Sequence, residues 1–144
     1  MRVVIPGMGA VSSMSPWLSQ AGGYLGEPGY FNAHATGPSV GDRATGFAIL
    51  GGGGDDQPPV PSTKSITGEE CSMAGASEII YSALMTRDHF IGPPLNLTEV
   101  EPARLGLSIV TRTRAARGRG GLGSSFGFGG ITASLLISEF KGTT

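Results

Sequence analysis

STKSITGEECSMAGASEIIYSALMTRD, residues 62–88, is the stretch on which the fold turns. A lysine follows an extended run, two acidic residues come next after a glycine, and then a long segment without proline whose one glycine is Gly75. Thr67, Gly68, Glu69 and Glu70 have the spacing of a capping box, in which a threonine hydroxyl accepts from the backbone N–H three residues on and the glutamate reaches back. Met73, Ala76, Ile80, Ala83 and Leu84 then recur every three or four residues, which predicts a helix running to about Arg87 with an apolar stripe on one face. Ala74, Gly75, Ala76 and Ser77 are small enough to let other backbone pack close, so this helix is expected to be buried.

Working outward, RVVIPGMGAVSS at residues 2–13 places β-branched Val3, Val4 and Ile5 before Pro6-Gly7 and reads as a short buried strand entering a turn. Residues 13–29 have no sustained period and carry Gly22-Gly23 and Pro28-Gly29, the composition of a connector. Residues 29–33 form a second strand ending at a loop that holds His34. After Asp42 a run of four glycines, 51–54, makes helix a poor expectation, since each costs about 1 kcal/mol against alanine. Val60–Thr63 is a brief extended run, Leu105–Thr111 and Ile131–Phe140 read as strands, and the GRGGLG segment between the last two reads as flexible.

At 144 residues the chain supports one domain with a real core. Charged residues are 15% of it, against about 25% in an ordinary soluble domain, which implies surface meant to be covered by a partner or by further chain. A net charge of −1 argues against global attraction to nucleic acid or to an anionic membrane. No apolar run approaches the roughly 18 residues of a membrane span. The single cysteine cannot form an internal disulfide and fits a reducing cytoplasm. The first residues are too interrupted for a secretory signal core.

In this order the pieces resemble the β-ketoacyl-[acyl-carrier-protein] synthases, nearest the type I enzyme of bacterial fatty acid synthesis. RVVIPGMGAVSS is similar to their opening strand, NAHATGPSVGD to their first histidine motif, and residues 62–88 to their lysine and second-histidine motifs with the following helix. IGPPLNL, LGLSIVT and SSFGFGGITASLLI carry the likeness onward. Five motifs in one order, from NAHATGPSVGD onward, are a specific signal. The resemblance implies the thiolase-like α/β fold, here partial: the first strand plus most of the C-terminal half, a mixed sheet around a buried helix, in one domain divided as 1–12, 13–29 and 30–144.

The resemblance also implies an activity, decarboxylative condensation of malonyl-carrier protein with an acyl thioester, without metal or redox cofactor. His34 matches the first of two histidines that hydrogen-bond the malonyl thioester oxygen, and Lys64 matches the lysine that organises charge beside them. Thr36 and Thr67 match substrate-binding positions, and Phe126, Gly127, Phe128, Gly129 and Gly130 match the glycine–phenylalanine loop that gates the acyl pocket. The chain departs from the pattern at several places. Glu69 stands where the second histidine belongs, and an ionised carboxylate only accepts hydrogen bonds. The lysine's acidic partner falls at Thr45, which leaves Lys64 without it, and Ser124 replaces an asparagine. The family's middle portion, with its nucleophilic cysteine, is missing between about Ser13 and Tyr30.

Cys71 is read as a packing residue at the start of the buried helix, in keeping with the habit of free cysteine. His89 is read as an ordinary helix-end or loop residue. The glycines at 51–54 lack the G-x-x-x-x-G-K-[ST] pattern of a phosphate cradle. Arg112, Arg114, Arg117 and Arg119 form the only basic cluster, a solvated loop whose functional reading is docking of an acidic carrier protein rather than RNA. The partners implied are acyl carrier protein with acyl and malonyl thioesters, a homodimer or a complementing synthase chain, and neither nucleic acid nor membrane. The isolated chain is expected to be inactive in condensation or only decarboxylating. The alternatives are a non-catalytic acyl- or carrier-protein-binding remnant, or a truncated or recombined chain with no selected activity.

Overall fold

The computed structural model describes residues 3–11, 29–53, 57–100, 106–116, 120–127 and 129–139, with side chains left out at 3–11, 52 and 53. The connector 13–29 lies outside the described residues except for Gly29, as do Phe128, Arg117 and Arg119. A four-stranded mixed sheet forms the centre. Its strands are β1 (Val3–Val11), β2 (Tyr30–Asn32), β7 (Gly120–Gly127) and β8 (Ile131–Glu139), in the order β1-β8-β7-β2. Both β1–β8 and β7–β8 are antiparallel, while β2 runs parallel to β7.

Pro6 and Gly7 do not end the first strand, as the sequence suggested. The ladder to β8 slips between Val4 and Gly7 and then resumes to Val11. A proline has no N–H to give the ladder, and a bulge absorbs the missing bond without stopping the strand.

The GRGGLG segment is the largest departure from expectation, since Gly120–Gly127 is an interior strand and not a flexible loop. Glycine is required there by close approach. A Cβ at Gly120 would overlap the Ile137 carbonyl, and one at Gly121 would overlap the Tyr30 ring. Glycine disfavours strand by propensity, and tertiary contact overrides it.

Helix α1 (Ser39–Gly53) likewise forms through the glycines that argued against it. Ile49 is 2% exposed and packs with Phe31, Leu122 and Leu136 on one face of the sheet, where Val60 and Leu107 complete the cluster. Burial of such a side chain is worth about 1.5–3 kcal/mol, enough to offset much of the glycine cost in its last turn. Thr45 turns its hydroxyl back onto the Gly41 carbonyl within this helix, at 2.9 Å.

The short strands β3 (Pro59–Val60) and β5 (Ser108–Ile109) pair in parallel, so only two residues of the expected 105–111 strand form a ladder. β4 (Phe90–Ile91) and β6 (Arg114–Ala115) pair antiparallel. Between β3 and β4 come a four-residue helix α2 (Lys64–Thr67), a 3-10 turn (Cys71–Met73) and helix α3 (Ala74–Arg87).

The capping box does not form. Gly68 and Cys71 take positive φ, 79° and 50°, which breaks the chain into two helices. The Thr67 hydroxyl donates to the Gly68 carbonyl, and α3 begins after Met73 with no side-chain cap. The helix itself is present with the opposite orientation to the one expected. Its buried positions are Ala74, Ser77, Glu78, Ser82, Met85 and Thr86, while Met73 and Ile80 are about 60% exposed. Cys71 is exposed in the preceding turn and is therefore not a packing residue.

The two kinds of glycine give opposite expectations. Gly51→Ala, whose added methyl meets nothing within 4 Å, is expected to raise stability by about 0.5–1 kcal/mol in urea unfolding. Gly121→Ala is expected to lower it by about 1–3 kcal/mol, because the methyl must displace the Tyr30 ring.

Candidate functional site

The site is built where the inward polar face of α3 meets the ends of β2 and β7. Alternation along β2 sends Phe31 into the apolar cluster and turns Tyr30 and Asn32 toward α3. The Tyr30 hydroxyl donates to the Ser82 carbonyl at 2.6 Å and lies 3.0 Å from Thr86 Oγ1. Asn32, fully buried, donates through Nδ2 to Ser82 Oγ (3.1 Å) and Thr63 Oγ1 (3.3 Å), and accepts the Thr63 N–H at Oδ1 (3.2 Å). These bonds fix α3 and the residues just before Lys64 to the same strand.

Lys64 is buried and does have an acidic partner, contrary to the expectation raised by Thr45. Its Nζ pairs in direct contact with Glu78 Oε1, and Glu69 Oε2 lies 3.9 Å away. The other Glu78 oxygen accepts from Ser125 Oγ on β7. Burial pulls the Lys64 pKa below the usual lysine value, while Glu69 and Glu70 act against that shift. Glu78 was not identified from the sequence, yet a signal existed: it is the only charged residue between Glu70 and Arg87.

His34 follows β2 and stacks on Phe126, with ring centroids 5.0 Å apart and planes tilted by 48°. The Phe126 backbone N–H donates to His34 Nδ1 at 3.4 Å. That bond assigns the tautomer: with Nδ1 accepting, the neutral ring carries its proton on Nε2. Burial and the Lys64 charge lower the His34 pKa, and the Glu69 charge works the other way. Lys64 and Glu69 thus act electrostatically on the same imidazole.

A cavity of about 400 Å³ opens beside this cluster, a volume within the usual range for small-ligand sites. Thr36, Lys64 and Glu69 line it together with Arg43, Val60 and Val100. Thr67 is absent from its described lining, and so are His34 and Phe126. Gly129 and Gly130 have φ of 91° and 81°, a turn that glycine accommodates without strain. Ser124 is buried opposite Ser134, and neither hydroxyl has a hydrogen-bond partner among the described residues. Arg112 and Arg114 are exposed, at and beside the β6 edge. Among the described residues no three His, Cys, Asp or Glu side chains are grouped to hold a metal. No described helix is long and apolar enough to cross a membrane.

The order of elements and this polar cluster define a thiolase-like ketosynthase fold. It superposes on a β-ketoacyl synthase from Burkholderia phymatum with a TM-score of 0.86, at 29% identity, over 95% of this chain and 37% of that one. A ketosynthase bound to its chain length factor, from Xenorhabdus doucetiae, matches at 25% identity and a TM-score of 0.81, over 97% of this chain and 40% of that one. Residues 6–98 match the beta-ketoacyl synthase C-terminal domain, and the chain belongs to that family. The 3-oxoacyl-[acyl-carrier-protein] synthase 1 of Haemophilus influenzae is 40% identical over 114 residues, which are 78% of this chain and 28% of that enzyme. The chain thus spans under a third of the length of that relative.

Removing one member of the buried ion pair strands the other. Glu78→Ala is expected to cost about 3–5 kcal/mol in denaturant unfolding, and the double variant Lys64→Met/Glu78→Leu to recover most of it. A second expectation concerns pH. His34 binds its proton more weakly folded than unfolded, so its contribution to stability is complete above the unfolded pKa of about 6.5 and is lost as pH falls toward the lower folded value. The midpoint of thermal unfolding should therefore fall more between about pH 7.5 and 5.5 in the parent than in His34→Gln, which keeps an acceptor and cannot titrate.

Proposed function

We propose that the chain carries the decarboxylating side of a β-ketoacyl synthase site and takes the malonyl thioester of acyl carrier protein. The observation that carries this reading is the Phe126 N–H donated to His34 Nδ1, because it leaves Nε2–H as a fixed donor. In the step, the bond between the malonyl carboxylate carbon and its α-carbon breaks and carbon dioxide leaves. The electron pair passes to the thioester carbonyl oxygen, and the enolate then takes a proton from water to give the acetyl thioester. A donor placed in advance at that oxygen stabilises the charge as it develops.

Lys64 is a positioning residue in this reading, held by Glu78 and placing positive charge beside the imidazole. Thr36 on the cavity wall offers a hydroxyl to the thioester arm. Phe126, Gly127, Gly129 and Gly130 supply the wall of the acyl side, and Arg112 with Arg114 offers positive charge to an acidic carrier surface. Glu69 limits the chemistry, since its carboxylate repels the enolate where a second donor would stabilise it. Complete condensation also needs a nucleophile. Cys71 is exposed, in left-handed backbone in the 3-10 turn before α3, and is absent from the described lining of the cavity. We therefore assign carbon–carbon bond formation to a site completed by another polypeptide. The second reading, a binding remnant without chemistry, is favoured by Glu69 alone.

Carbon dioxide release from malonyl-carrier protein tests the proposal. Release above the blank is expected, falling at least about 10-fold in His34→Ala and rising about 100-fold in Glu69→His, the usual worth of one oxyanion donor. Replacing Arg112 and Arg114 by serine should raise KM for the carrier protein and leave kcat unchanged. Release that ignores both His34→Ala and Glu69→His would leave only the binding reading.

A further inference from the structure

Glu69 is the one side chain of the site that works against the decarboxylation of a plain malonyl group. Its Oε2 stands 3.9 Å from Lys64 Nζ, beyond hydrogen-bond range, and no described residue donates to its carboxylate. Lys64 does not depend on it, since Nζ is in direct contact with Glu78. Glu69 is 37% exposed where Lys64 is 3%, so its carboxylate stands free to meet a ligand. Both residues line the cavity of about 400 Å³, whose wall continues through Val60, Ile109 and Val100. A ligand there meets a cation and a carboxylate side by side at the end of an otherwise apolar space. The first answers an anionic group, the second a charged N–H donor. A malonyl group satisfies only half of that pair, because nothing on it donates to Glu69.

We propose that the preferred substrate is a malonyl thioester carrying an amine on its α-carbon, and that Glu69 selects it. This rests on the reading of the site as one for a malonyl thioester. The 3.9 Å between Lys64 and Glu69 fixes where the amine must be. An ammonium and a carboxylate attached to one carbon match that spacing, whereas an amine at the far end of an acyl chain does not. In the reaction, the bond between the carboxylate carbon and the α-carbon breaks and carbon dioxide leaves. The electron pair passes to the thioester oxygen, and the α-carbon then takes a proton from water, leaving hydroxide and a glycyl thioester. The ammonium remains on the α-carbon throughout, between Glu69 and the developing enolate. The carboxylate that repels a bare enolate thereby holds a cation beside this one, and the substrate itself supplies the donor that the protein lacks.

Stable amides test the recognition without any chemistry. Aminopantetheine acylated with glycine and aminopantetheine acylated with acetate differ only in the amine, and neither can lose carbon dioxide. Titration calorimetry of the full chain at about pH 7, where an α-amino group is protonated, should show the glycyl amide binding at least about 10-fold more tightly, the usual worth of a hydrogen bond to a charged group. Glu69→Gln keeps the shape and loses the charge, and should bring the two within about 2-fold. Glu99→Gln, at another carboxylate of the cavity wall, should keep the full preference. In turnover, carbon dioxide release above the blank should be at least about 10-fold faster from the amine-bearing thioester than from malonyl-carrier protein, with Glu69→His inverting that order. Equal affinity for the two amides overturns the proposal, as does a preference that survives Glu69→Gln or disappears in Glu99→Gln. Binding of neither amide would overturn it together with the thioester reading, whereas equal binding of both would overturn only the selection of an amine.

Discussion

The contact between Lys64 and Glu78 joins parts of the molecule that are remote in sequence. Lys64 opens the short helix after β3, Glu78 sits one turn into α3, and Ser125 on β7 holds the second carboxylate oxygen. Two charges only 3% and 4% exposed tolerate burial because each answers the other and a hydroxyl takes the remaining lone pairs. The rest follows from that anchor. It sets which face of α3 looks inward, where Lys64 stands relative to His34, and how near the end of β7 comes to the imidazole.

Glycine supplies the second constraint. The approach of β7 to Tyr30 and to the β8 backbone leaves no room for side chains at Gly120 and Gly121, so the sheet is tightest beside the polar cluster. A strand of this kind gains little from its own side chains. Its stability comes from paired neighbours on both sides, β8 and β2, and from α3 packed across it.

Much of the architecture was legible in the sequence, and what was not has identifiable causes. The strands at 29–33 and 131–140 and the helix ending near Arg87 stand out because apolar periodicity or β-branched runs dominate them. The helix at 39–53 and the strand at 120–127 were hidden, since glycine depresses any local signal and only tertiary contact reveals why it is there. The stripe on α3 misled in direction: a period of three to four residues shows that one face is apolar, without saying which face turns inward. Motif order located His34, Lys64 and Glu69 together, while Glu78 escaped because its partner is fourteen residues away and on another helix. Asn32 and Ser125 escaped for a similar reason. Each looks like an ordinary polar residue at a strand end until the bonds to Thr63, Ser82 and Glu78 are drawn.

The bond from the Phe126 amide to His34 ties the end of β7 to the electronic state of the imidazole. While the amide points at Nδ1, that nitrogen is an acceptor and the proton resides on Nε2. A displacement of this strand end that withdraws the amide would release Nδ1, and the ring could then exchange tautomer or take a second proton. The position of the strand end and the donor character of the histidine are therefore coupled. Whatever displaces that strand end changes which nitrogen of the ring can donate, without touching the ring.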